Sequence, residues 1–295
     1  FSISAEAQVV TKFATMFGGS GYDLSLQSEV KDGYSYLLYY TTSPNVPVTN
    51  GSSLKGSGDY VYMKLDSATQ DIIYASYLGS DGDESSSISY SPLMKIVGNH
   101  IYISLVMDGA NAPTTDGSSF LGDLSDYFIK INATTGVPVY ASFITGGNGS
   151  IYQDFIVEGN SIYIVGAVLG SDIIYPTTDG SSYPDGSLTN SKTYFKKINN
   201  TNYSTEVFTL KDLFNGENFD EFLAQNKIYK SGNNIYSVIN MVCDPLDTLV
   251  TIPCKGSVDV LVYKINASTG QFNMEMTVGG IKNERIGDRV VIGNK

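Results

Sequence analysis

The chain has 295 residues, of which 42% are hydrophobic and 12% aromatic, and it carries a formal net charge of -12 at pH 7. This acidic balance argues against nucleic-acid binding and anionic-membrane binding, because affinity for phosphate depends on clustered Lys and Arg. No apolar run reaches the roughly 18 residues that a membrane-spanning helix needs.

The sequence is organised by a repeat with a period of 66 or 67 residues. Its marker is a Lys followed by Leu or Ile and then by Asp or Asn, and it recurs at Lys64, Lys130, Lys197 and Lys264. Self-similarity at a fixed period indicates a repeat architecture, in which each unit needs its neighbours to bury its faces. We therefore expect one repeat domain over residues 1–295, with copies at about 20–79, 80–146, 147–212 and 213–279.

The first predicted element is a strand at residues 9–17, which is followed by the glycine-rich segment GGSGYD at 18–23. Each repeat then begins with two strands joined by a tight turn, as in YQDFIVEG and SIYIVGAVL around the Gly-Asn pair at 159–160. Such pairs are typical of hairpin turns. Residues 212–227 interrupt the fourth copy, and we interpret them as a loop turn followed by a strand.

The next two strands of each repeat flank the lysine marker. YVYMKL at 60–65 alternates in apolar character with a period of two, which predicts a strand, and a turn such as DSATQ leads into IIYASYL. Each repeat thus holds four antiparallel strands. Four-stranded units of regular period without helices predict an all-β fold, a β-propeller of about four to five blades.

Antiparallel order has a spatial consequence for the turns. If the four strands run from the propeller axis outward, the first and third turns of every blade lie on one face. The opposite face then carries the long loops between the second and third strands, with VTNGSS at 48–53 and PTTDGSS at 113–119 and 176–182. Binding sites concentrate on such loops. The predicted binding-face residues are Thr115, Asp116, Thr178, Asp179, Tyr175 and Tyr183.

These motifs together resemble a known family. The Tyr-Ala-Ser-aromatic segment, the glycine-rich turn, the Pro-Thr-Thr loop and the strand that ends in Lys-Ile/Leu-Asn/Asp are similar to the SBBP-type β-propeller repeat, from residue 8 to about 280. The resemblance implies a propeller fold and an exported scaffold or interaction role, with no common catalytic activity. The fourth copy departs from the pattern, because it lacks the glycine turn and the Pro-Thr-Thr motif.

The composition favours an extracellular or cell-surface location. Charged residues make up only 16% of the chain, and small hydroxyl and amide side chains dominate. An ordinary acidic β protein is the alternative. Six N-glycosylation sequons occur, at Asn50, Asn132, Asn148, Asn199, Asn202 and Asn266. Three of them follow the lysine marker, where Asn and Asp are also favoured as turn formers, so turn formation explains them equally well.

The two cysteines, Cys243 and Cys254, flank a predicted loop of the fourth copy. In an exported chain we expect them to form a disulfide, which would stabilise the fold by about 3 kcal/mol on the chain-entropy model. In a reducing compartment they would be two thiols.

Catalytic and metal-binding chemistry finds little support in the sequence. The single histidine, His100, falls in a predicted turn without a counterpart in the other repeats. Glu29, Asp154 and Glu158 fall on predicted innermost strands, where propeller glycosidases use paired carboxylates, but the chain has no Trp as a sugar platform. We therefore expect that the chain is not an enzyme and that it has no catalytic residues, no cofactor and no metal site. Ca²⁺ at the acidic segment 80–84 is an alternative that turn formation also explains.

The repeat count leaves both ends unfinished. Residues 9–17 and 285–292 are predicted to be isolated strands of incomplete blades, which a continuation of the chain past Lys295, the other end of the same chain or a neighbouring subunit must complete. The leading interpretation is an extracellular structural or adhesive propeller, with assembly into a filament or surface polymer through these terminal blades as one option. The alternatives are a carbohydrate- or protein-binding propeller that uses the PTTDGSS face and, less favoured, a glycan-processing enzyme with axial carboxylates. No nucleic-acid partner and no membrane span are expected.

Overall fold

The computed structural model describes residues 16–84, 92–122, 124–147, 150–168, 177–180, 192–212, 226–242 and 258–278. Within these ranges the chain forms strands and turns and contains no helix. No helix long and apolar enough to cross a bilayer therefore occurs in this part of the chain.

The strands form four sheets of four strands each, here called blades 1 to 4. Blade 1 contains β1 (Asp23–Lys31), β2 (Tyr34–Thr41), β3 (Asp59–Asp66) and β4 (Ile72–Leu78). Blade 2 contains β5 (Leu93–Val97), β6 (His100–Met107), β7 (Leu124–Asn132) and β8 (Pro138–Gly147). Blade 3 contains β9 (Ser150–Glu158), β10 (Ser161–Val168), β11 (Lys192–Asn199) and β12 (Thr205–Asp212). Blade 4 contains β13 (Asn226–Ser231), β14 (Asn234–Val242), β15 (Val258–Asn266) and β16 (Phe272–Val278).

Every blade pairs its strands antiparallel and in chain order. The first strands of neighbouring blades pack together, β1 against β5 and β9 against β13, so these strands are the innermost ones. The predicted all-β propeller of four-stranded blades is confirmed.

The turns within each blade follow from local sequence. Blade 1 joins its first two strands through Asp32 and Gly33, both with positive φ (52° and 81°), as a two-residue type I′ hairpin requires. The other three blades have a glycine with positive φ (55° to 58°) at the first turn position, at Gly98, Gly159 and Gly232.

The first and third turns of each blade lie side by side, as predicted. In blade 2, the Ala133 amide donates to the Asn99 carbonyl at 2.9 Å, and the other blades repeat this bond between Ser67 and Gly33, Asn200 and Asn160, and Ala267 and Asn233. We call this side of the propeller the turn face. The opposite side, which carries the long loops, is the loop face.

The hydrophobic core lies between neighbouring blades. Alternate residues of β7 illustrate this arrangement, because Tyr127 and Ile129 pack with blade 1 whereas Phe128 packs with blade 3. A third cluster joins blade 3 to blade 4 around Val165 and Ile235. Since both faces of an interior blade are covered, a strand such as β7 is buried at nearly every position.

In the first two copies, the lysine marker of the repeat bonds its blade to the next one. The Lys64 ammonium donates to the Ala133 carbonyl of blade 2 at 2.8 Å, and Lys130 donates to the Asn200 carbonyl of blade 3 at 3.0 Å. Lys197 departs from this pattern and forms an ion pair with Glu206 of its own blade at 2.6 Å. The period that organises the sequence is thus, in the first two copies, the period of an inter-blade bond.

Two predicted features fall mainly outside the described residues. Of the predicted terminal strands at 9–17 and 285–292, only Met16 and Phe17 are described, and neither is in a strand. Assembly through these segments stays a prediction. Within the interrupting segment 212–227, β13 begins at Asn226, and residues 213–225 are outside the described ranges.

Candidate functional site

The long loop of blade 1 is fastened along the outer strand of its own blade. The Thr49 amide donates to the Ala75 carbonyl at 3.0 Å, and the Ala75 amide donates to the Thr49 hydroxyl at 3.1 Å. Ser52 adds a second attachment, because its hydroxyl accepts from the Tyr77 amide at 2.9 Å. The loop therefore satisfies backbone groups on the exposed edge of β4.

The same attachment recurs in the next two blades. Thr115 bonds both backbone groups of Ala141, and Thr178 bonds both backbone groups of Phe208. We call Thr49, Thr115 and Thr178, each with its outer-strand residue, the threonine latches. An uncovered edge strand is a template for unwanted pairing, and the latches cover it. The repeated Thr of the PTTDGSS motif thus has a structural role that the sequence did not predict.

The other predicted residues of the loop face are distributed as follows. Asp116 accepts from the Ser118 amide at 3.0 Å and from the Tyr140 hydroxyl at 3.5 Å. Burial alone would raise the pKa of Asp116, but hydrogen bonds from Ser118 and Ser142 bring it below its ordinary value. Asp179 is exposed beside Thr178. Tyr175 and Tyr183 lie outside the described residues.

A cleft of about 350 Å³ opens between blades 1 and 2, next to the loop at 48–53. Its polar wall consists of Asn50, Ser52, Ser53, Lys55, Asp59 and Ser76. Its apolar wall consists of Tyr62, Tyr77, Leu78, Pro113, Ile129 and Pro138. The cleft brings residues with hydroxyl, amide, ammonium and aromatic groups together in one concave site.

The polar groups of the cleft are partly fixed by bonds within the protein. The Lys55 amide donates to Asp59 Oδ2 at 2.9 Å, and the Lys55 ammonium donates to the Asn111 carbonyl of blade 2 at 2.7 Å. Behind the cleft, Glu84 is fully buried next to Asp59. Burial, and to a smaller extent the neighbouring Asp59 carboxylate, raise the pKa of Glu84 to about 7.

The carboxylates predicted near the axis lie on the innermost strands and bind the neighbouring blades. Asp154 accepts from the Lys95 ammonium at 2.7 Å and from the Ile228 amide at 3.0 Å, which connects blade 3 to blades 2 and 4. Glu29 accepts from the Ile96 amide at 3.2 Å, and Glu158 forms an ion pair with Lys230 at 2.5 Å. In this structure these carboxylates connect neighbouring blades.

The remaining predicted sites lie elsewhere. His100 begins β6, and burial lowers its pKa. Asp81, in the acidic segment 80–84, accepts from the Ala110 amide at 2.8 Å. Within the described residues, no group of three or more His, Cys, Asp or Glu side chains is arranged to hold a metal ion. Cys243 and Cys254 lie outside the described residues.

Four sequon asparagines lie on the turn face. In Asn132, Asn199 and Asn266 the side-chain oxygen accepts from the backbone amides two and three residues ahead, which is the turn-forming role. Asn202 is exposed in the same turn as Asn199, and Asn50 is exposed on the loop face. Asn148 is not among the described residues. Glycosylation of these sites stays a prediction.

Sequence reasoning did not identify Lys55, Asp59 and Ser76 as residues of a cleft. Ser76 belongs to the repeated Tyr-Ala-Ser segment, which was the available signal. The cleft depends on the gap between two blades, however, and a single repeat does not specify that gap.

No family model and no curated protein matches this sequence. Solved structures match at the level of the fold. A mutant of B. megaterium levansucrase is 12% identical, with a TM-score of 0.45 over 88% of this chain and 69% of that one. The catalytic domain of the Coprinopsis cinerea GH62 alpha-L-arabinofuranosidase is 10% identical, with a TM-score of 0.36 over 90% of this chain and 70% of that one. A GH43 protein from Bacillus licheniformis is 12% identical, with a TM-score of 0.35 over 88% of this chain and 42% of that one.

These comparisons correct one prediction. The expectation that the chain is not an enzyme is wrong as an inference from fold and composition, because chains with a similar fold include a levansucrase and an arabinofuranosidase. At this identity the likeness extends to the fold and does not transfer an activity.

Proposed function

We propose that this chain is a carbohydrate-binding β-propeller whose ligand occupies the cleft between blades 1 and 2. The observation that carries the proposal is the composition of the cleft, which is lined both by residues with hydroxyl, amide and ammonium groups and by tyrosine and proline residues. Small-molecule sites combine apolar walls with a few placed polar groups. A sugar ring presents both kinds of surface, since its hydroxyls form hydrogen bonds and its C–H face packs on aromatic rings.

Two polar groups of the cleft can form hydrogen bonds with a ligand. The Ser53 side chain is exposed and makes no hydrogen bond with the described residues. The Lys55 ammonium bonds the Asn111 carbonyl, which leaves two of its three donors for ligand oxygens. By contrast, the Tyr62 hydroxyl donates to the Gly136 carbonyl at 2.9 Å, so its proton is already used within the protein.

The experiment compares two equivalent serines of the repeat. Ser53→Phe fills the cleft, whereas Ser119→Phe places the same bulk at the corresponding position of blade 2, outside the lining of this cleft. Binding to a glycan array, followed by calorimetric titration of the best glycan, should show at least tenfold weaker binding for Ser53→Phe. Ser119→Phe should bind like the unmodified protein, and both variants should melt like it.

The outcomes separate the alternatives. Equal loss of binding in both variants would contradict the cleft as the site, and absence of glycan binding in the unmodified protein would contradict the function. Shorter or transferred sugar products in the same samples would identify a glycan-processing enzyme. Binding to a protein and not to glycans would favour the interaction role instead.

Several features of the exported interpretation stay predictions beside this proposal. They are the extracellular or cell-surface location, membership of the SBBP-type repeat family, assembly into a homo-oligomer or filament, the Cys243–Cys254 disulfide and the six glycosylation sites. Mass mapping of native material under non-reducing conditions tests the disulfide and the glycans together. Two thiols and six unmodified asparagines would contradict the exported interpretation.

A further inference from the structure

The equivalent loop position carries different residues in different copies of the repeat. Blade 1 has Asn50-Gly51-Ser52, where blade 2 has Asp116-Gly117-Ser118 and the third copy has Asp179-Gly180-Ser181. The three glycines share one backbone conformation, with φ of 72°, 75° and 76°. The same turn is therefore built once with an amide and twice with a carboxylate.

The hydrogen bonds of the turn are also the same in blades 1 and 2. Asn50 Oδ1 accepts from the Ser52 amide at 3.2 Å, and Asp116 Oδ1 accepts from the Ser118 amide at 3.0 Å. Each serine hydroxyl then accepts from an outer-strand amide at 2.9 Å. An aspartate at residue 50 would accordingly preserve the turn and its attachment to β4.

The local chemistry at Asn50 favours attack by the following backbone nitrogen. Gly51 has no side chain to obstruct its nitrogen, and its amide makes no hydrogen bond with the described residues. A Cβ added at Gly51 would meet nothing within 4 Å, so the turn is open to water. The amide nitrogen that must leave, Asn50 Nδ2, makes a single hydrogen bond with the described residues, to the Ser76 hydroxyl at 2.9 Å.

We propose that Asn50 is a site of spontaneous deamidation, which converts the first copy of the loop to the acidic form that the other copies carry. The Gly51 nitrogen bonds to Asn50 Cγ as the Cγ–Nδ2 bond breaks, and the amide proton leaves with the nitrogen as ammonia. Water then adds across either imide bond and yields aspartate or isoaspartate. This inference is independent of the proposed function, although the new carboxylate would lie in the wall of the cleft.

The two products have different consequences. Aspartate reproduces the turn of blade 2, so the Thr49 latch and the fold remain. Isoaspartate adds a methylene group to the backbone between Thr49 and Ser52, which displaces Ser52 from the Tyr77 amide. Both products add one negative charge to the rim of the cleft.

The test uses the full chain, produced without N-glycosylation and incubated in mildly alkaline ¹⁸O-labelled water at physiological temperature. Mass mapping of the tryptic peptide 32–55 should show ¹⁸O-labelled acid at residue 50, with an isoaspartate fraction that an isoaspartyl methyltransferase detects. Asn50→Gln should stay unlabelled, because its longer side chain would need a six-membered ring. Asn50→Asp should melt like the unmodified protein.

A synthetic peptide of residues 47–54 provides the unfolded reference rate. A rate constant for the folded chain within tenfold of the peptide value supports the proposal. A rate constant more than tenfold below that value means that the fold protects Asn50, which overturns it. Failure of the glycan experiment above would leave this outcome unaffected.

Discussion

Lys196 places an ammonium group in the interior of the interface between blades 2 and 3. The residue is 9% exposed, and its Nζ donates to the Ile144 carbonyl at 3.4 Å and lies 4.9 Å from the centre of the Phe208 ring. Burial lowers the pKa of Lys196 to about 8. The corresponding residues of blades 1 and 2 are Met63 and Ile129, both buried and apolar.

We predict that Lys196→Met stabilises the protein at neutral pH. Because the folded pKa is below the unfolded value of about 10.4, the penalty is fully present below about pH 8 and disappears above the unfolded pKa. The expected gain at pH 7 is about 2–3 kcal/mol in free energy of unfolding. Urea unfolding at several pH values measures it. The gain should shrink between pH 8 and 10.4.

The adjacent lysine provides the control for this prediction. Lys197 is partly exposed and paired with Glu206, so Lys197→Met should bring no stabilisation. Equal stabilisation by both variants would show that net charge, and not burial at residue 196, is responsible.

The penalty from burying Glu84 should depend on pH in the opposite way: it should grow as pH rises, whereas that of Lys196 shrinks. Its folded pKa of about 7 exceeds the ordinary value of 4.5, so the penalty is absent below pH 4.5 and fully present above pH 7. Glu84→Gln should therefore become progressively more stable than the unmodified protein as pH rises through this range. Thermal melts at both ends of the range test this, with Asp71→Asn as an exposed control. A constant difference across the range would refute the assignment.

At the level of single elements, the threonine latches are predicted to stabilise the outer strands. Thr115→Val keeps the shape of the side chain but removes the hydroxyl that accepts from the Ala141 amide at 2.9 Å. We expect a loss of about 1–2 kcal/mol and faster hydrogen exchange at Ala141, because its amide loses a partner. Thr114→Val is the matched control, since the Thr114 side chain makes no hydrogen bond with the described residues. Similar exchange in both variants would contradict the latch.

The strands and turns were predictable because each depends on local sequence. Alternation in YVYMKL gives β3, and the Gly-Asn pairs give tight turns, so blade boundaries and the common turn face followed from the repeat. The roles of Thr115 and Lys64 were not predictable, since one bonds a strand 26 residues ahead and the other a blade 69 residues ahead. The cleft depends likewise on the spacing between blades.

In the whole molecule, the innermost strands are connected by side chains that satisfy their free edges. Gln27 accepts from the Met94 amide, Glu29 from the Ile96 amide and Asp154 from the Ile228 amide. Each acceptor belongs to the blade before the donor strand. An innermost strand has no further strand to pair with, and these contacts replace part of that pairing. The carboxylates that suggested axial catalysis are thus arranged as ties between blades.

The last prediction tests these axial ties by comparing two carboxylates of the same strand, β9. Asp154 is 4% exposed and bonds both Lys95 and the buried Ile228 amide, whereas the Glu158 side chain is 59% exposed and forms an ion pair with Lys230. Asp154→Ala leaves a buried amide without an acceptor, so we expect a loss of about 2–4 kcal/mol in free energy of unfolding. Glu158→Ala should cost less than about 1 kcal/mol, because an exposed ion pair is weak. Hydrogen exchange at Ile228 should rise only in Asp154→Ala. If both variants lose the same stability and leave the Ile228 amide protected, the ties do not hold blades 3 and 4 together.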